Sequence, residues 1–274
     1  MLLTGDQVAH FDVHGYVLLP GRVPPDLLAR LRAAADGWTG QAPTPDHLFS
    51  GGRLWRVDHL HDKGSPASLE LLGSPEVLGV AESLAGPDLV PTYESLVVKA
   101  AGDSAAVPWH QDAVHGREHR LFNVDVYLDD AEAGAGALHV VPGSQHARTD
   151  ACALRDDHGW AVPGAIELPV RAGDVLVHDD MLVHGSPPVR GRALRRTVYL
   201  EFRPAASILE HGPWDAAWLD ARLRLLDAAV AAHAAARPGV PGHVRRPARR
   251  PAPGPLRLRV AHGTHTPGEW CSAG

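Results

Sequence analysis

Two residues one apart in Pro108-Trp109-His110-Gln111-Asp112 carry the first chemical signal in this sequence. The segment follows the strand-like run LVVKA (96–100) and a Gly-Asp-Ser turn. In an extended chain alternate side chains share a face, so His110 and Asp112 present an imidazole and a carboxylate to one ion while Gln111 points away. Two histidines and one carboxylate, with open positions left for substrates and O₂, form the ligand set that suits ferrous iron. A third ligand must therefore come from elsewhere. The candidates are His178 and His184 in GDVLVHDDMLVHGS (173–186). His184 is preferred, because a small Gly185-Ser186 pair adjoins it and the arginines Arg195 and Arg196 follow on a strand that could return beside it. An arginine fork there matches the far carboxylate of a dicarboxylate cosubstrate. With 18 histidines in the chain, a lone one such as His10, His14, His47, His233 or His243 carries no functional weight.

Short β-type runs must position these groups. From Thr92 to Phe202 the apolar residues fall into LVVKA, LFNVDVYL, GALHVVPG, AIELPV, GDVLVH and RRTVYLEF, separated by Gly, Pro, Asp and Ser, which is the spacing of a sandwich or barrel. Ser95, Val97 and Lys99 share a strand face, so Ser95 or Lys99 either lines a pocket or, for Lys99, meets solvent at a strand end. Asn123, Asp125 and Tyr127 also share a face. That predicts a polar pocket and a functionalised small molecule, with Asp125 a candidate partner for an amine. Tyr127 and His139 read as packed interior positions, and Asp129-Asp130 as a turn. Ahead of this region, Thr4 with Gln7 forms a capping-box pattern for a helix to His14. Tyr16–Leu19 reads as a strand, and Pro24-Pro25-Asp26 opens a second helix with Leu27, Leu28, Leu31 and Ala35 on one face. Residues 41–65 read as a connector or a substrate-covering loop. A last helix is expected from Trp214 to His233.

The composition, 45% hydrophobic and 21% charged, is that of a packed globular domain. A net charge of −6 implies no basic face for nucleic acid. No uninterrupted apolar run approaches the roughly 18 residues a membrane span needs, and MLLTGDQVAHF has neither a basic leader nor a long apolar core, so a cytoplasmic protein is expected. The two cysteines, Cys152 and Cys271, are too far apart in sequence to suggest a disulfide framework or a Cys-based zinc site, so a metal must rely on His and carboxylates. After Ala236 the chain becomes dense in Pro and Arg. The division expected is one catalytic domain over 1–236 and a mobile Pro/Arg-rich tail over 237–274. No sequence feature sets an oligomeric state.

HGYVLLPG, WHQD, YLDDAEAGAGALHVVPGSQH and GDVLVHDDMLVHGSPPVRGRALRRTVYLEF, in this order between Leu3 and Phe202, resemble the phytanoyl-CoA dioxygenase family of Fe(II)- and 2-oxoglutarate-dependent oxygenases. The resemblance implies a mainly β fold with flanking helices around a double-stranded β-helix (jelly-roll, cupin-like) core. It also implies iron held by His110, Asp112 and His184, and the distal carboxylate of 2-oxoglutarate held by Arg195 with Ser186 beside it. Family spacing favours Arg195 over Arg196, which then reads as an ion-pair residue. Halogenating relatives replace the carboxylate ligand with a small residue, so the intact Asp112 points to oxidation of a C–H bond with O₂. The expected function is hydroxylation, or a related oxidation, of a polar small molecule in specialised metabolism. The competing readings are a cupin-like zinc or manganese hydrolase or isomerase, and a non-catalytic 2-oxoglutarate-binding module.

Overall fold

The structure, a computed structural model, describes residues 2–100, 106–190, 194–240 and 242–262. Thr4 caps α1 (Gly5–His14): its hydroxyl accepts from Gln7 N, and the Gln7 side chain accepts from Thr4 N, the reciprocal box expected from the sequence. Gly15 ends the helix at φ 80°, where a Cβ would also lie 2.5 Å from Gln145 Oε1. β1 (Tyr16–Leu19) and α2 (Pro25–Gly40) follow, and α2 buries Leu27, Leu28, Leu31 and Ala35. The 41–65 connector contains a hairpin, β2 (His47–Ser50) and β3 (Arg53–Asp58), turned through Gly51 and Gly52 at positive φ. The Gly/Pro/His/Asp-rich composition hid it, because β3 alternates in character only over Leu54-Trp-Arg-Val-Asp58.

Two helices, α3 (Ala67–Leu72) and α4 (Pro75–Ala85), lead into β4 (Leu89–Ala100), β5 (Val107–His110), β6 (Phe122–Tyr127) and β7 (Leu138–Val140). Next come α5 (Ala151–His158), β8 (Ile166–Leu168), β9 (Val175–Asp179), β10 (His184–Ser186), β11 (Leu194–Pro204), α6 (Ala205–His211) and α7 (Ala216–Ala236). The large antiparallel sheet runs β1-β9-β6-β11-β4-β3-β2 and the small one β5-β10-β7-β8. From β4 to β11 the chain passes back and forth between the two, which makes the core a double-stranded β-helix.

Period-two patterning divides each large-sheet strand between two environments. Val124, Val126, Val198, Leu200 and Phe202 face α2, α3 and α4 in one apolar core with Leu27, Leu31, Leu71 and Leu78. Fully burying such a side chain contributes roughly 1.5–3 kcal/mol. The alternate residues Asn123, Asp125, Arg195, Thr197 and Tyr199 face the small sheet, and this inner face carries the polar groups.

Residues 237–240 and 242–262, within the stretch expected as a mobile tail, make ion pairs to the body of the protein. Arg237 pairs with Asp26 and Glu70, Arg245 with Asp227, Arg249 with Asp220, and Arg259 with Asp46 and Asp62. Locally the segment is too poor in apolar residues to fold, but its carboxylate partners are scattered over the rest of the chain. Cys152 in α5 is disulfide-bonded, against expectation, while Cys271 lies outside the described residues.

Candidate active site

His110 closes β5 and His184 opens β10, and the two are direct cross-strand partners. Their ring centroids lie 4.1 Å apart. Gly185 permits this approach, since a Cβ there would meet Val107 O at 2.9 Å and Pro108 O at 3.1 Å. Each ring donates Nδ1–H to the carbonyl two residues back, His110 to Pro108 O and His184 to Leu182 O, both at 2.8 Å. A carbonyl can only accept, so Nδ1 carries the proton in each of these contacts and Nε2 is the ring nitrogen turned toward Asp112. Asp112 Oδ1 lies 3.3 Å from His110 Nε2 and Oδ2 lies 3.8 Å from His184 Nε2. Burial, then the charge of His110, pushes the His184 imidazole down to about 3, so it is neutral near pH 7 as a ligand must be. The donor set of two imidazoles and a carboxylate fits ferrous iron.

His178, the rival ligand, sits behind Asp112. Its Nε2 is 3.1 Å from Asp112 Oδ2 and its Nδ1 is 2.9 Å from Asp125 Oδ2. Burial alone would discharge the ring, but the two carboxylates outweigh it and raise His178 well above its ordinary value. Asn123 Nδ2 donates to Asp112 Oδ2 at 3.0 Å and to Asp180 Oδ1 at 3.2 Å. Burial would raise Asp112, yet His184, His110 and His178 together hold it well below the carboxylate range. The polar face of β6 thus orients Asp112. Asp125, fully buried against His178, is not available to a substrate amine, which corrects the expectation for that residue. Gln111 points away as expected, donating to Ala147 O and Met181 O and accepting from Thr149 N.

A cavity of about 360 Å³ opens on this trio. At its inner end Arg195, 3% exposed, donates to Gly136 O at 2.6 Å and to Ser186 Oγ at 3.3 Å. Lys99 is buried beside it, donating to Ser186 Oγ at 2.7 Å and Pro187 O at 2.8 Å, so it does not face solvent. Burial first, and the Arg195 charge second, push Lys99 down to about 6. Ser95 lines the cavity. Arg196 points out and pairs with Asp129 and Asp36. Tyr127 packs among Leu138 and Leu176, and His139 against Trp109 and Trp160.

The outer end comes from residues that sequence reading passed over. Trp55, Arg56 and Asp58 of β3, with His59, Tyr93 and His262, complete the lining. Arg56 Nη2 donates to Asp58 Oδ2 at 3.2 Å, and the Tyr93 hydroxyl donates to Asp58 Oδ1 at 3.1 Å. The Arg56-x-Asp58 alternation was the available signal, and nothing local pointed to His262.

Comparison with known proteins places this geometry. A curated relative, the L-proline trans-4-hydroxylase of Streptomyces griseoviridis, is 28% identical over 148 residues, 52% of this chain and 55% of the relative. The match therefore spans about half of that relative's length. Among solved structures, EvdMO1 is 32% identical with a TM-score of 0.65, covering 73% of this chain and 50% of that one. AviO1 from Streptomyces viridochromogenes Tue57 is 31% identical with a TM-score of 0.63, covering 75% of this chain and 97% of that one. The profile of the phytanoyl-CoA dioxygenase (PhyH) family matches residues 11–197, from within α1 through most of the β-helix, and the chain belongs to that family.

Proposed function

We propose that the protein is an Fe(II)- and 2-oxoglutarate-dependent oxygenase that oxidises a C–H bond of a polar small molecule in specialised metabolism. The observation that carries this reading is a two-histidine, one-aspartate donor set and a buried Arg195–Ser186 pair opening on one cavity. His110, Asp112 and His184 would hold the iron. Arg195 would bind the distal carboxylate of 2-oxoglutarate through its fork of donors, with Ser186 as a further donor. Bound iron supplies O₂ activation driven by oxidative decarboxylation of 2-oxoglutarate to succinate and CO₂. The chain's own residues orient and exclude: His178 and Asn123 fix the Asp112 carboxylate, and the buried inner end keeps water from the cosubstrate. Whether hydroxylation, desaturation or ring closure follows depends on which substrate carbon the outer lining brings to the metal.

Asp112 occupies the position that halide-binding relatives vacate, which favours oxygenation. A zinc or manganese hydrolase would leave Arg195 and Ser186 with no dicarboxylate to hold. We assign the catalytic domain to 1–236, with 237–274 as a C-terminal extension that contributes His262 to the cavity lining. No helix among the described residues is long and apolar enough to cross a membrane. The test is O₂-dependent conversion of 2-oxoglutarate to succinate by the Fe(II)-loaded protein, with His184→Ala as control. Conversion in the wild type and not in the variant supports the assignment. An iron-loaded wild type that consumes no 2-oxoglutarate, alone or with a panel of polar small molecules, would overturn it.

A further inference from the structure

We infer that the C-terminal segment 259–262 forms part of the outer wall of the substrate cavity, and that the His262 side chain sets the size of molecule able to reach the metal site. The inference rests on the oxygenase reading of the cavity and adds which part of the chain selects the substrate.

Several independent contacts fix the segment there. Val260 is 6% exposed, and its carbonyl accepts from Arg222 Nη2 at 2.9 Å. Ala261 O accepts from Arg222 Nη2 at 3.1 Å and from Trp218 Nε1 at 2.9 Å. Arg222 is itself fully buried and paired with Glu94 at 2.7 Å. A solvated tail would leave these two carbonyls to water, whereas here α7 supplies their donors. Arg259 forks onto Asp46 at 2.6 and 2.7 Å and reaches Asp62 at 3.2 Å.

His262 is held on three sides. Its Nε2 lies 3.1 Å from Glu94 Oε1, its ring stacks on His59 at 3.8 Å and 15°, and Tyr93 lies at 4.6 Å. His59 occupies the left-handed region at φ 56°, a conformation that costs a non-glycine residue roughly 1–3 kcal/mol and that surrounding contacts must hold. Those contacts are the His262 stack and Asp46, 3.3 Å from His59 Nδ1. Asp46 thus ties both His59 and the segment carrying His262. The fourth side of the His262 ring faces the cavity, together with Trp55, Arg56 and Asp58. An imidazole so braced behaves as a rigid wall, and the branch of the chain that carries it lies outside the region matched by the family profile.

The experiment uses the full-length protein, which has no free cysteine among the described residues. A reporter thiol is placed inside the cavity as Ser95→Cys, with Val97→Cys as a second position. Its alkylation is timed with small iodoacetamide and with bulky N-phenylmaleimide. The preference for the small reagent should fall roughly tenfold when His262→Ala is added, equivalent to about 1.4 kcal/mol in relative access. His262→Phe, which restores bulk, should keep the preference, and Arg259→Ala should give an intermediate loss. An unchanged preference in His262→Ala, or equal acceleration of both reagents, would overturn the inference, because general loosening admits both alike. Retention of 2-oxoglutarate binding by the iron-loaded double variant separates failure of this inference from failure of the oxygenase reading.

Discussion

The two ends of the cavity are built in different ways. The inner end is assembled by sheet registry: His110 and His184 face each other across β5 and β10, and Arg195 is the register partner of Lys99 across β11 and β4. The outer end adds to the registered β3 and β4 residues a part assembled by side-chain contacts between residues remote in sequence, such as Arg259 on Asp46 and His262 beside Glu94. Registry is over-determined by many backbone hydrogen bonds and a one-residue slip would invert every side chain, so the inner end is fixed with the fold. Ion pairs and ring stacks can be exchanged one at a time. On the proposed assignment the chemistry would reside where the fold is rigid, and the substrate preference where contacts can be exchanged singly.

Changes at the inner end should then alter metal and cosubstrate binding, and changes at the outer end should not. The largest effect is expected for His184→Ala, with Fe(II) affinity and 2-oxoglutarate turnover falling by more than the roughly 100-fold that supporting partners alone can carry. Arg195→Ala should weaken 2-oxoglutarate binding by about 10- to 100-fold, from loss of charge-assisted hydrogen bonds of about 1.5–3 kcal/mol. Arg195→Lys should recover only part of it, because a point charge replaces a fork. His178→Ala and Asp125→Asn should each lower Fe(II) affinity about tenfold with little change in the 2-oxoglutarate dissociation constant. If Asp125→Asn altered substrate KM alone, Asp125 would be a substrate contact after all.

Smaller effects should appear in stability. Gly185→Ala should cost about 1–3 kcal/mol in denaturant unfolding, since its Cβ would press on the β5 backbone. Arg259→Ala should cost less than about 1 kcal/mol, as befits a pair whose arginine is half exposed and whose Asp46 keeps Lys63 as a partner. Its partner Asp46, held below the usual carboxylate range by hydrogen bonds to Arg259 and Lys63, supplies the pH signature. A depressed folded pKa contributes stability that is complete above the unfolded value of about 3.9 and is lost as pH falls toward the folded one. The difference in stability between wild type and Asp46→Asn should therefore be constant near neutrality and shrink below about pH 4.

The same contrast explains what the sequence disclosed. His110, Asp112 and the alternation along β6 and β11 follow from period two, which a local reading detects. His184 was preferred over His178 by its neighbours Gly185 and Ser186 and the arginine that follows, and the structure gives a reason for the glycine: it lets β10 approach β5. Asp125 was placed on the correct face but given the wrong partner, because facing inward does not say which inward group is met. The β2–β3 hairpin was hidden by its polar composition, and the course of residues 237–240 and 242–262 depends on carboxylates as distant as Asp26 and Asp46.

The central claim is that one cavity holds iron and 2-oxoglutarate together, and anaerobic titration of the purified protein with Fe(II) and 2-oxoglutarate tests it most directly. The account predicts a weak visible charge-transfer band in the wild type that is shifted to higher 2-oxoglutarate concentration in Arg195→Ala. A wild-type protein that binds the metal and gives no such band would contradict it.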